Sequence, residues 1–409
     1  MALVSDTKPD GEYVEDAHSY EDKAERSTFA QDPTESHLER KTKLKMDLFV
    51  LPLTLIVYFL ASMGRSDLGN AQVAGMNKDL GITAAQYSNI GSLFYVGYLV
   101  FQLPSTLALR YLTPPVLVFL AMLLWGVATT CMTAATDYSS VAGLRFLIGV
   151  AEAGIQGMIF FLAIIYTPRE LTKRLCFCYS GSALAGACNG LMAYGIVNNI
   201  AGRDGWTWQW IFLIEGVIPI GFSFIILVLY PSTPEKTRSI FFSADEKAFL
   251  IGRSRLAANT GEYKFRPKLF LSLFADPVFW LLTVMCIGGT FTIATLQNFL
   301  PAIIRGFGWS ATTAQAMSVV PYAIAFVTTN FWAQLADRFN QRGFIIVANM
   351  LLAIVGFIVL LTVYDRVPSL IGCCVLVAGA YPATAIGIAY IPTLLPGRKF
   401  FYFPRVTNL

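Results

Sequence analysis

The chain has 409 residues, of which 55% are hydrophobic and only 14% are charged. Soluble domains carry roughly 25% charged residues, so this composition excludes an ordinary soluble protein and indicates a polytopic membrane protein. The net charge of +4 combines an acidic segment, residues 1–39 with eleven acids and three bases, with a basic remainder. Because the later bases lie in short connections between apolar runs, and not on one aromatic-rich surface, nucleic-acid binding is excluded.

The apolar part of the chain contains few of the residue types that carry out catalysis. Both histidines, His18 and His37, lie in the polar N-terminal segment, which excludes histidine-based triads and zincin motifs inside the membrane. The seven cysteines fall in apolar runs without CxxC spacing, so we interpret them as packing residues. With no metal cluster and no nucleophile beside a base, the sequence predicts no enzyme, no metal site and no cofactor.

Ten apolar runs follow the N-terminal segment, each long enough to cross a hydrocarbon core of roughly 30 Å. Residues 1–45 hold too little apolar surface to fold and are predicted to form a disordered, acidic tail that ends in basic residues. The membrane spans are predicted at 46–63, 86–109, 114–135, 140–166, 174–199, 208–230, 277–300, 311–336, 343–363 and 368–391.

The spans divide into six and four around a long connection that carries eight bases. This division predicts an N-terminal six-helix bundle (46–230), a cytoplasmic linker (231–276), an incomplete four-helix bundle (277–391) and a short C-terminal tail (392–409). A cytoplasmic N-terminus places 21 bases on the inner side, which is the arrangement that the positive-inside rule favours. In the linker, Ser243 and Glu246 have capping-box spacing, compatible with an amphipathic surface helix or an ordinary solvated helix.

A short repeat links the two halves of the chain. Gly81-Ile-Thr-Ala opens the second span, and Gly308-Trp-Ser-Ala opens the eighth. Arg110 and Arg338 follow these glycines at 29 and 30 positions. The repeat predicts duplicated bundles facing each other, with substrate bound near the bilayer midplane; the alternative is a chance similarity between two apolar hairpins.

Span four carries the densest set of polar residues. On an α-helix, Gly149, Glu152 and Gln156 all lie within about 40° of Arg145. Each charge inside a membrane costs about 2.5–3.5 kcal/mol on insertion scales, and such residues usually line pathways or form pairs. Glu152 can therefore bind a proton, with Arg145 as an anion contact or counter-ion; the alternative is a static salt bridge that orients the helix.

Other polar residues in the spans are weaker candidates. Glu215 is interpreted as a structural acid that bonds backbone groups freed near Pro219. Arg65 and Asp67 either attract anions or mark the membrane interface, where span one ends. Three neutral side chains could contact a polar solute: Gln297, Asn298 and Tyr381.

Segments 145–154, 208–216 and 333–342 resemble the major facilitator superfamily and, within it, the fungal allantoate and nicotinate permease branch of anion:cation symporters. The resemblance implies twelve spans in two helical bundles, alternating access, and proton-driven uptake of a small organic anion at the plasma membrane. It makes Arg145 and Glu152 cavity residues, and it matches Arg65 to an arginine usual at the end of span one. Arg65 and Gln156, which lies on the same stripe as Glu152, complete the predicted substrate and proton pathway of the first half. The resemblance also assigns a conformational latch to the loop residues Asp337, Arg338 and Arg342.

Two features depart from that family pattern. The aspartate that commonly precedes the arginine of span one is Gly64 here. Ten spans are predicted where twelve are expected, so the second bundle is expected to lack its last two helices. The leading hypothesis is a proton-coupled symporter for a vitamin, ureide or short-peptide carboxylate. The rival hypothesis is a truncated, non-transporting membrane sensor or inactive paralogue; the oligomeric state is left open.

Overall fold

The computed structural model describes residues 33–109, 111–166, 168–199, 206–232, 242–243, 245–251, 274–275, 277–339, 341–363 and 365–394. Within these ranges the chain is helical and has no strand, which confirms the predicted all-α class. The long helices are α1 (Pro33–Val73), α2 (Ala84–Ala108), α3 (Pro114–Cys131), α4 (Tyr138–Glu152 and Gln156–Ile165, joined by the 3₁₀ turn Ala153–Ile155), α5 (Pro168–Asn199), α6 (Gln209–Leu229), α7 (Pro277–Gly306), α8 (Ala311–Met317 and Val319–Phe339), α9 (Arg342–Thr362) and α10 (Arg366–Leu394).

Nine of these helices, counted over the described ranges, are long and apolar enough to cross a membrane. The exception is α5, whose 32 residues include many small and polar side chains. It packs against α1, α8 and α10, and residues such as Ala183, Ala185 and Asn189 are buried. Because neighbouring helices shield α5 from lipid, it needs less apolar surface than the other spans.

Helix α1 begins at Pro33, before residue 46, where the first span was predicted to start. Residues 33–45 were assigned to the disordered tail, but they form the first turns of α1. Alternating acids and bases support this extension, since Glu39 pairs with Lys43 one turn later at 2.5 Å. Residues 1–32 lie outside the described residues.

Glycines allow α2 and α4 to approach closely. A Cβ atom at Gly149 would lie 2.1 Å from the carbonyl oxygen of Phe94, and one at Gly97 would lie 2.5 Å from the carbonyl oxygen of Phe146. Such distances leave no room for a side chain, so glycine at both positions permits backbone-to-backbone contact. Glycine has a similar role on α5, because Gly186 lies against the ring of Tyr322 on α8.

The repeated segments have the same local geometry. Gly81 and Gly308 both adopt positive φ angles, 63° and 90°, a region that glycine enters without steric cost. Two residues later, Thr83 and Ser310 each act as the N-cap of a helix and accept a backbone N–H from the third helical residue. The two halves therefore begin α2 and α8 with the same turn.

In the linker, the structure describes a short helix at 245–251. Its capping box is formed: the Ser243 N–H donates to Glu246 Oε2 at 2.9 Å, and the Glu246 N–H donates to Ser243 Oγ at 3.3 Å. Lys45 Nζ, on α1, also donates to Glu246 Oε1 at 2.7 Å. Burial works against the Glu246 charge, but the hydrogen bonds from Lys45 and Ser243 outweigh it and lower the pKa of Glu246. This contact holds the helix against the start of α1.

Candidate functional site

Charged side chains in the C-terminal part of α1 point in two directions. Arg65 and Asp67 are two residues apart, which places them about 160° apart around the helix. Arg65 faces α2 and α4, with its guanidinium 5.3 Å from the ring centre of Tyr98 and 5.9 Å from that of Phe94. Asp67 faces α5, where it accepts a hydrogen bond from Asn189 at 3.1 Å. Gly64 lies between them on the helix surface.

The carboxylate of Glu152 pairs with Arg65. Arg65 Nε donates to Glu152 Oε2 at 3.0 Å. The Glu152 side chain is only 1% exposed, whereas that of Arg65 retains 19% exposure. One turn further along α4, Gln156 donates a short hydrogen bond to the Tyr98 hydroxyl. The site therefore joins α1, α2 and α4 through a buried ion pair with one partly accessible cation.

Arg145 does not form an ion pair with Glu152, although both lie on the same face of α4. Seven residues separate them, and the helix rise over that interval is about 10 Å. Arg145 instead donates to the backbone carbonyl of Gly64 at 3.2 Å, and its guanidinium lies 5.6 Å from the ring centre of Phe212 on α6. The static Arg145–Glu152 salt bridge considered from the sequence is not formed.

Glu215 joins this cluster from α6. Its carboxyl group lies within hydrogen-bonding reach of Asp67, and Arg145 is near enough to act on both charges. Among the described residues, neither Glu215 oxygen has a hydrogen-bond donor, so the expected bond to freed backbone groups is not seen. The next residue, Gly216, packs against Thr130 of α3, which fixes the position of Glu215 along the helix.

A narrow cleft lies beside the charge cluster, between the two halves of the chain. It is lined from α1 and α5 by Asn70 and Asn189, and from α7 and α8 by Gln297 and Tyr322. Asn70 Nδ2 donates to Asn189 Oδ1 at 2.7 Å. Asn189 in turn donates to Asp67, so a line of hydrogen bonds joins the cleft to the carboxyl groups behind α1.

Of the polar residues predicted in the second half, Gln297 lines this cleft. It is buried, and it lies near the hydroxyl of Tyr381. The rings of Tyr381 and Tyr322 meet edge to face at 6.4 Å. The side chain of Asn298 lies outside the described residues.

The predicted latch lies at the end of α8. Asp337 and Arg342 approach each other at 3.6 Å, while Arg338 is exposed. Lys173 and Arg174 of α5 are near enough to act on the Asp337 charge. The loop charges therefore face a basic segment from the other half of the chain, and the latch role stays a prediction.

Several residues of the cluster were missed or given another role from the sequence. Asn70 and Asn189 were not singled out, and Asp67 was considered only as an anion contact or an interface residue. Polar residues within apolar spans were the available signal, since they are costly in a membrane unless they face protein. Over the described part of the chain, no group of three His, Cys, Asp or Glu side chains could hold a metal ion.

Comparison with known proteins identifies the family. A model of the Major Facilitator Superfamily matches residues 54–399 of this chain. The chain belongs to this superfamily. That membership confirms the resemblance at superfamily level and identifies a multi-pass membrane protein of a transporter family.

Curated fungal transporters are similar over most of the chain. An uncharacterised transporter of Schizosaccharomyces pombe is 28% identical, covering 96% of this chain and 80% of its own length. The high-affinity nicotinic acid transporter of Saccharomyces cerevisiae is also 28% identical, covering 92% of this chain and 70% of its own. Similarity to these proteins supports transport as the general activity.

Solved structures show the same fold at low sequence identity. The proton:xylose symporter XylE, bound to a glucose analogue, has a TM-score of 0.66 and 12% identity, with 86% of this chain and 83% of that chain covered. An inward-facing bacterial homologue of the lysosomal transporter Spinster has a TM-score of 0.63 and 16% identity, with 86% and 75% covered. The helices described above therefore have the major facilitator arrangement.

Proposed function

We propose that this protein is a proton-coupled symporter that carries a small organic anion across the membrane by alternating access. The observation that carries this proposal is the buried pair between Arg65 and Glu152, at 3.0 Å, in which the cation is the more accessible partner. Desolvating two charges is expensive, which supports a role for this pair beyond packing.

The pair offers a simple route to coupling. With Glu152 ionised, its charge satisfies Arg65 and leaves no net charge to attract a substrate anion. With Glu152 protonated, the guanidinium is left with an excess positive charge, which a substrate carboxylate can neutralise with two parallel hydrogen bonds. Proton and anion then bind together, since neither alone leaves the site neutral.

The aromatic residues beside Arg65 favour a small, planar carboxylate. The Tyr98 ring lies 5.3 Å from the guanidinium, and its hydroxyl is held by Gln156. The name of the yeast relative, a nicotinic acid transporter, gives the first compound to test. A vitamin, ureide or short-peptide carboxylate is the substrate class that we assign, as in the allantoate and nicotinate permease branch.

The same proposal places the N-terminus in the cytoplasm and the protein in the plasma membrane. Basic residues at the start of α1 support this orientation: Lys43 pairs with Glu170 at 2.6 Å and Lys45 with Glu246 at 2.7 Å. Such clusters are typical of the cytoplasmic side. An epitope added before α1 should be labelled by antibody only after the cells are permeabilised.

Uptake of labelled nicotinate, a ureide and a dipeptide by cells that lack their own carriers tests the function. Wild-type uptake of at least one of them should rise as the external pH falls. Glu152→Gln should keep exchange of labelled for unlabelled substrate but lose acid stimulation, while Arg65→Gln should lose both. Glu170→Gln, an acid at the start of α5 far from the pair, is the matched control. Full acid stimulation in Glu152→Gln contradicts the proposed coupling.

A further inference from the structure

The buried charges around α1 do not balance. Three acids and two bases meet in one cluster, and four of them are at most 5% exposed: Asp67, Arg145, Glu152 and Glu215. Arg65 is the fifth member, through its pair with Glu152. If every group were ionised, the cluster would carry one excess negative charge. Burying an uncompensated charge is costly, so one carboxyl group of the cluster must hold a proton.

The excess charge lies on the pair formed by Asp67 and Glu215. Glu152 is already compensated by Arg65 at 3.0 Å. Arg145 is the remaining cation, and it acts on both Asp67 and Glu215. One guanidinium cannot neutralise two carboxylates that face each other, and like charges in one buried site cannot both ionise.

The hydrogen bonds around the pair identify the oxygens involved. Asp67 Oδ1 accepts from Asn189 at 3.1 Å, but Asp67 Oδ2 and both oxygens of Glu215 meet no donor in the described part of the chain. Ionised carboxylates can only accept, whereas a protonated carboxyl group donates. A proton between Asp67 Oδ2 and Glu215 supplies the donor that both groups need.

We propose that the carboxyl groups of Asp67 and Glu215 form a second proton-binding site, in which α1 and α6 share one proton, separate from Glu152. The surrounding titratable and charged groups are Arg145 and Glu152 on α4, Arg65 on α1, and Tyr87 of α2, which faces Arg145. Loss of the shared proton leaves two like charges in contact and drives α1 and α6 apart.

Asn189 connects this site to the cleft between the halves. Its amide donates to Asp67 and to the backbone carbonyl of Met63, and its oxygen accepts from Asn70. Asn70 and Asn189 both line the cleft. The protonation state of the pair therefore acts on α5, the helix that packs against α8 of the other half.

Infrared spectroscopy of the purified full-length protein in lipid nanodiscs tests the site. At neutral pH the wild type should show the C=O stretch of a protonated carboxyl group, shifted in D₂O. Asp67→Asn and Glu215→Gln should each abolish that band, and Glu170→Gln, whose carboxylate pairs with Lys43 outside the cluster, is the matched control and should keep it. Both test variants should fold, because each neutralises the cluster without a proton and leaves an amide that can donate to the remaining carboxylate.

This readout needs no transport, so the site can fail or hold independently of the proposed symport. A wild-type spectrum without a protonated carboxyl band overturns the site. So does a band that persists in Asp67→Asn or in Glu215→Gln, since another carboxyl group, such as Glu152, then holds the proton, and so does a band that is lost in Glu170→Gln. A band that disappears when NaCl replaces choline chloride shows that the pair binds sodium, which also overturns the proposal. If one of the two variants fails to fold, the other tests the same pair.

Discussion

The contact between α2 and α4 positions Tyr98 and Phe94 beside Arg65, and one substitution tests it. In Gly149→Ala, the added Cβ would lie 2.1 Å from the Phe94 carbonyl oxygen. Ordinary contact begins at 3.4 Å, so the two backbones must separate by 1.3 Å, the difference between these distances. The three nearest atoms all belong to the backbone of Phe94 and Tyr98, so a new side-chain rotamer cannot relieve the clash.

The energy follows from two opposing effects. Overpacking at a rigid contact costs about 1–3 kcal/mol, while replacing glycine by alanine within a helix gains about 1 kcal/mol. Gly143→Ala is the matched control, because its Cβ on the same helix meets nothing within 4 Å. The propensity gain is common to both variants, so their difference isolates the overpacking cost of about 1–3 kcal/mol.

Thermal denaturation in detergent, followed by size-exclusion chromatography, measures this difference. Gly149→Ala should lose its monodisperse peak at a lower temperature than Gly143→Ala, which should be at least as stable as the wild type. Because membrane proteins often unfold irreversibly, the ranking of the variants is the result to compare. Equal midpoints for the two alanine variants refute the close approach of α2 and α4.

Three further predictions concern other contacts. Gly216→Ala should destabilise the protein, since its Cβ would lie 2.6 Å from a backbone nitrogen of α3. Gly221→Ala, on the same helix, meets nothing within 4 Å and is the control. The denaturation assay above should give Gly216→Ala the lower midpoint temperature of the two. Arg145→Gln should cost about 3–5 kcal/mol by leaving buried carboxylates uncompensated, and a wild-type yield of folded protein contradicts this. Glu246→Gln should release helix 245–251 from Lys45 and speed proteolysis of the linker at neutral pH. In the wild type, this contact is complete above the ordinary glutamate pKa of 4.5 and is lost as the pH falls through the lower native value.

The fold could be predicted from the sequence because the bilayer imposes a length on every span. Ten apolar runs gave ten long helices, and the repeated Gly81 and Gly308 turns have matching φ angles and caps. The start of α1 was predicted too late, at 46, because the acids and bases of 33–45 looked like a solvated tail. Their i,i+4 pairing stabilises a helix that composition alone does not reveal.

The site was predicted only in part, because its contacts join distant parts of the chain. The stripe on α4 correctly brought Glu152 to attention, and both Arg145 and Glu152 are buried. Helical periodicity gives the direction of a side chain but not its partner on another helix. The pairing of Glu152 with Arg65, and the meeting of Asp67 with Glu215, depend on how α1, α4 and α6 pack. The family's usual aspartate is replaced by Gly64, but a carboxylate still lies next to this position. Asp67 Oδ2 is 4.0 Å from the point that a Cβ atom of residue 64 would occupy.

The central claim is that Glu152 couples proton movement to the transport of an organic anion bound at Arg65. The most direct test is accumulation of labelled nicotinate, or of the best substrate from the cell assay, in proteoliposomes with an imposed pH gradient. Protein-free liposomes measure passive entry of the protonated acid. Wild-type protein should accumulate substrate above that background and above equilibrium, while Glu152→Gln should only equilibrate it. Equal accumulation by wild type and Glu152→Gln contradicts the claim.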